Sequence, residues 1–198
     1  MDTNAILGVI VVLAAVIVIA IAVLAVRRRR QSEELEDRFG PEYERTVNQY
    51  GSRDKAEQEL RAREKRVESF NLKPLDTGER DRLTEEWRVT QAEFVDAPGK
   101  AIRDADRLVQ EAMQARGYPV GDFEQRATDI SVDHPNVVTH YRTAHEIAQR
   151  EERGKATTED LRQAMVHYRA LFQDLLADTT EAPAPEETPT ETEKERTK

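Results

Sequence analysis

Hydrophobic and polar positions divide the chain into three regimes. From Ala5 to Val26 the sequence AILGVIVVLAAVIVIAIAVLAV carries no charged and no strongly polar side chain. From there to about Leu176, apolar residues return every three or four positions among charged ones, the period of an α-helix with one buried face. From Ala177 onward the stripe is lost, and DTTEAPAPEETPTETEKERTK is rich in Pro, Thr and Glu.

The first regime predicts a transmembrane helix. Roughly 22 apolar residues at 1.5 Å each span about 33 Å, enough for a hydrocarbon core of about 30 Å. In lipid the backbone must satisfy its own hydrogen bonds, which favours a helix even where Val and Ile dominate. Arg27, Arg28, Arg29 and Arg30 follow at once and are the candidate membrane-flanking residues. Ala20-Ile21-Ala22 resembles a signal-peptide cleavage site, but the leading MDTN has no Lys or Arg and the apolar run is longer than a signal core. The expectation is an uncleaved single-pass anchor over residues 1–30. Basic residues favour the cytoplasmic flank, so the N-terminus is expected outside and the bulk of the chain at the cytoplasmic face of the cell membrane.

The second regime, residues 31–176, predicts an all-α bundle. Leu35 and Phe39 form a short apolar edge ended by Gly40-Pro41; Phe39, Tyr43, Val47 and Tyr50 then share a face up to Gly51. Ser52 is placed to cap a helix from Arg53 to Phe70 with Ala56, Leu60, Val67 and Phe70 inward, although Arg63 occupies one position of that seam. Asp76 and Glu79 have capping-box spacing ahead of Leu83, Trp87 and Phe94. Ile102, Ala105, Leu108, Val109, Ala112 and Met113 line the next helix, which Gly117 ends. A small helix carries Phe123, Ala127 and Ile130. The following one is expected to start at Ser131–Pro135, capped by Asp133 or Ser131, with Val137, Val138, Tyr141, Ala144, His145 and Ala148 inward. Leu161, Ala164, Met165, Tyr168, Leu171, Phe172 and Leu175 line the last. No alternating strand pattern occurs outside the apolar run, so no sheet is expected. Residues 177–198 cannot bury enough surface to offset chain entropy and are expected to be a disordered acidic tail.

Composition narrows the function classes. There is no cysteine, so disulfides, thiol catalysis and iron–sulfur ligation are excluded and a reducing compartment suits the chain. A net charge of -9 argues against nucleic-acid binding, which needs a basic face.

Candidate chemistry is sparse. His145-Glu146-Ile147-Ala148-Gln149 departs from the zinc pattern H-E-x-x-H at its last position, and His140 lies about 140° around the helix from His145. His167 could face His140 if the last two long helices form an antiparallel hairpin, with Asp133 or Glu146 as possible neighbours. Asp104-Ala105-Asp106 reads as surface charge, because residues two apart on a helix point away from each other. Trp87 reads as a core anchor. No catalytic residue, metal ligand or cofactor is expected.

The segments Phe39-Gly40-Pro41-Glu42-Tyr43, Arg116–His145 and Arg162–Phe172 (RQAMVHYRALF) resemble an uncharacterised bacterial family that pairs an N-terminal membrane segment with a helical domain. The resemblance spans roughly residues 36–176 and implies that architecture, with no activity or cofactor attached. The functional expectation is a non-enzymatic, membrane-tethered interaction module. Its expected partners are the lipid bilayer and a protein met through a helical face or the acidic tail. Two alternatives are a sensor or enzyme using the His140/His145/His167 region, and an extracytoplasmic protein if the first segment is cleaved or inverted.

Overall fold

The computed structural model describes residues 3–177, and of residues 3–12, 14 and 15 the backbone alone. Its elements are eight helices among the described residues: α1 (Thr3–Phe39), α2 (Pro41–Tyr50), α3 (Arg53–Glu68), α4 (Thr77–Glu93), α5 (Pro98–Ala115), α6 (Phe123–Asp133), α7 (Pro135–Glu152) and α8 (Thr158–Ala177). The described residues are all-α, as the apolar periodicity requires.

Among these residues no helix is long and apolar enough to cross a membrane. The transmembrane helix expected over Ala5–Val26 is therefore not carried by them. Much of the first half of that run lies among residues whose side chains are outside the description. From Val16 the run is described, and it belongs to a helix that continues without a break through Arg27–Arg30 to Phe39. Of the tail, Ala177 closes α8, and residues 178–198 lie outside the described residues.

Local signals set most boundaries. Gly40 takes φ 47°, and Pro41 opens α2 at a position whose N–H would have no helical partner. Gly51 ends it in the left-handed region, its N–H donating to the Val47 carbonyl. The side chains of Ser52 and Asp76 accept from Lys55 N and Glu79 N, as expected of caps. Glu79 turns its own carboxylate to Arg82. The α6–α7 junction differs from expectation. Asp122 caps α6, which runs on through Ser131 and Asp133, so neither of these caps α7. His134 is the break, because Pro135 excludes the residue before it from helical geometry.

Two hydrophobic cores result. The larger is built by α4, α5, α7 and α8, with Ala127 and Ile130 of α6. All seven residues expected to line α8 are buried, and Trp87 stacks on Phe172 with centroids 4.5 Å apart. Contacts His134–Asp174, His140–His167 and Arg150–Asp160 descend one helix as they climb the other, so α7 and α8 are antiparallel. Arg82–Glu111, Arg107–Glu86 and Lys100–Glu93 show the same for α4 and α5. The smaller core gathers Leu35 and Phe39 of α1, Tyr43 of α2, Leu60 and Val67 of α3 and Val132 of α6. Phe70 and Leu72 lean on both.

The α3–α4 connector is held against the end of α5, where Lys73 N donates to the Arg116 carbonyl at 2.9 Å. Gly117 permits this contact. Its φ is 97°, and a Cβ there would lie 2.4 Å from the Asn71 carbonyl oxygen, whereas one at Gly51 meets nothing within 4 Å. Left-handed geometry costs a non-glycine residue about 1–2 kcal/mol. Gly51→Ala should lose about that much in urea unfolding, and Gly117→Ala clearly more; equal losses would contradict the close approach.

Candidate functional site

Polar groups enter the interior mainly where the smaller core meets the larger. Glu42 is 1% exposed. Its Oε1 accepts from Arg63 Nη1 and Arg142 Nη2, each at 3.1 Å, and lies 3.5 Å from Arg45 Nη1. Arg63 also donates from Nε to Glu59, and Arg142 from Nη1 to Glu124. One carboxylate thus joins α2, α3 and α7, and Glu124 brings in α6. Beside it Arg66 of α3 donates to Asp129 of α6 at 2.9 Å. The elements explain the placement. Glu42 precedes Tyr43 on a helix covered from two sides, and Arg63 stands in the seam between Leu60 and Val67. Arg142 follows Tyr141 on the buried face of α7.

Beside the cluster lies a cleft between α2, α3 and α6, of about 610 Å³. Arg45, Arg63 and Arg66 line it, as do Glu59, Asp122 and Glu124. Guanidinium and carboxylate groups oppose one another across it, so the cleft is largely neutralised by its own walls. It offers hydrogen-bonding groups of both signs.

The histidines separate into different settings. His140 and His167 meet as the hairpin argument anticipated, Nδ1 to Nδ1 at 2.8 Å. The ring centroids are 4.9 Å apart and the planes differ by 25°. So short a contact between nitrogens at that centroid separation places the rings edge to edge, and one N–H donates to the other ring's lone pair. His145 does not join them. It lies flat on Phe123, centroids 3.6 Å apart, and meets Gln149, the residue standing where a second zinc-binding histidine would be. Asp133 is taken by the Tyr118 hydroxyl, and Glu146 is exposed. The three imidazoles therefore do not converge. Among the described residues no group of three or more His, Asp or Glu is arranged to hold a metal.

Asp104 faces solvent beside Lys100, whereas Asp106 turns toward buried Tyr168, correcting the surface-charge expectation for one of the two. Burial first, and then Asp106, raise the Tyr168 hydroxyl far above its ordinary range. Tyr141, which accepts from Arg126 Nε, is pushed up to about 12, mainly by burial. Both phenols stay protonated at neutral pH and cannot act as bases there.

Arg27–Arg30 are exposed on α1, with Arg29 paired to Glu33. Sequence reasoning missed Glu42, Arg142 and the His134–Asp174 pair. The one signal it registered was Arg63, read as a gap in an apolar seam.

Removing one partner of a buried ion cluster strands the others, typically at a cost of about 3–5 kcal/mol. Glu42→Ala should destabilise the fold by that order in urea, and adding Arg63→Met should recover part of it; a loss under about 1 kcal/mol would show the cluster to be solvated. Burial lowers the His145 and His167 imidazoles below their ordinary value, and for His167 the neighbouring His140 adds to this. The fold thus disfavours their protonated forms. Their contribution is complete above the unfolded-state value near 6.5 and is lost as pH falls through the lower folded-state values. Unfolding midpoints should be level from about pH 8 to 7 and decline from about pH 6.5 toward 5, with a shallower decline in His167→Gln. No family model matches this chain, and comparison with curated proteins and with solved structures finds no match.

Proposed function

We propose that this protein is a membrane-tethered, non-enzymatic interaction module, anchored through α1 with its N-terminus outside and its helical domain at the cytoplasmic face. The supporting observation is the continuity of α1. The helix that carries the apolar run also delivers Leu35 and Phe39, 4% and 0% exposed, into the smaller core. Leu35 lies nine positions after Val26, about 13 Å of helix, so no flexible linker stands between anchor and domain.

Exposure argues the same way. Ile17, Val18, Ile19, Ile21 and Leu24 are 58–64% exposed, on a stretch that is apolar all round and belongs to neither core among the described residues. Water is an unfavourable solvent for such a surface and lipid a favourable one. Arg27–Arg30 end it on the side that the positive-inside rule assigns to the cytoplasm. Tethering raises the local concentration of the domain toward anything else at the membrane without new contacts. The cleft lined by Arg45, Arg63, Glu59 and Glu124 is a recess for a partner, and its mixed charge suits a polar protein segment.

The full chain should remain with the membrane fraction after alkaline extraction, and a C-terminal reporter active only outside the cytoplasm should stay silent. Release by alkali would remove the anchor, and an active reporter would invert the topology. Repeated cross-linking in native membranes that captured no protein would count against the interaction role.

A further inference from the structure

The first three helices form a hairpin that returns to the level of the arginine cluster. Ser32 donates to Glu57, and Arg38 pairs with Glu64 at 3.0 Å. Six residues along α1 thus match seven along α3, so the two helices run side by side in the same direction. Extended back by one turn, this register sets Arg53, four residues before Glu57, level with Arg28, four before Ser32. α2 supplies the return path. It meets α3 at Glu42–Arg63 and again at the two-residue turn Gly51–Ser52, so the two are antiparallel.

The turn is basic. Arg53 and Lys55 are exposed there, at the level that the register gives the exposed Arg27–Arg30. At this level Arg27–Arg30, Arg53 and Lys55 stand against four carboxylates: Glu33, paired with Arg29; Glu57, which accepts from Ser32 and Tyr43; and the exposed Glu34 and Asp54. Basic side chains at this level meet the negative surface potential of an anionic leaflet.

We propose that the α2–α3 turn is a second membrane contact, with Arg53 and Lys55 lying on anionic lipid headgroups beside Arg27–Arg30. The contact is displaced sideways from the α1 axis. It restrains the tilt that a lone anchor helix leaves free, and so fixes which face of the domain looks away from the bilayer. This rests on the anchor reading above.

The chain has no cysteine, so single labels can be placed without background. Full-length protein carrying a fluorophore at Ile21→Cys, Gln31→Cys, Asn48→Cys or Glu68→Cys would be reconstituted into phosphatidylcholine vesicles with and without phosphatidylglycerol. Quenching by a nitroxide at the lipid headgroup, and by one deep in the acyl chain, would then be read. The Ile21 label should lose intensity to the deep quencher. In anionic vesicles the Asn48 label should lose intensity to the headgroup quencher as the Gln31 label does, while Glu68, at the far end of α3, is unaffected. Lys55→Glu should weaken quenching at Asn48 without changing that at Gln31. An Asn48 label as unquenched as Glu68, with Ile21 quenched, overturns the second contact and leaves the anchor standing. Quenching at Asn48 that is equal in both lipids, or indifferent to Lys55→Glu, overturns the headgroup interaction. An unquenched Ile21 removes the anchor and this proposal with it.

Discussion

One buried carboxylate holds the two parts of this molecule in register. Glu42 accepts from guanidinium groups of α3 and α7 at equal distances, and both donors reach outward again to Glu59 and Glu124. Apolar contacts alone would let α2 and α3 slide against the larger bundle, because burial of hydrocarbon is not directional. A carboxylate between two planar donors has few acceptable positions. The cluster therefore specifies how the smaller core docks, while the apolar area around it supplies most of the stability.

That docking decides what α1 can do. A helix whose end is buried at Leu35 and Phe39 cannot swing freely, so whatever surrounds its apolar half is mechanically joined to the domain. The paired register of α1 and α3 carries the same relation further. The α2–α3 turn ends up level with Arg28, near the junction of the apolar and arginine stretches, although more than twenty residues of chain lie between them. The larger core then serves as a platform. Its antiparallel α7–α8 pair brings His140 to His167 and leaves His145 against Phe123, an arrangement of single contacts.

Much of the fold was legible because each helix states its own buried face. The stripe of α8 is legible residue for residue and that of α5 in all but Ala101, and Gly40-Pro41, Gly51, Ser52, Asp76 and Gly117 mark boundaries through local geometry. Errors fell where two elements compete for the same residues. Ser131 and Asp133 have capping chemistry, but α6 had already claimed them, and the proline acted one residue later at His134. Tyr50, expected to share a face with Phe39 and Tyr43, is 37% exposed where they are buried, whereas Glu42 and Thr46 are buried because a second face of α2 is covered by α7.

By itself the sequence determined an all-α domain, its core-facing stripes, a single long apolar run and its arginine flank. These depend on periodicity and charge over short distances, which a chain displays in order. The tertiary structure alone decided that Glu42, Arg63 and Arg142 share one site, that His140 and His167 meet without His145, and that α1 passes unbroken into the domain. A charged residue carries no mark of its partner when that partner lies twenty or a hundred residues away. Only the packing of helices brings them within hydrogen-bonding distance.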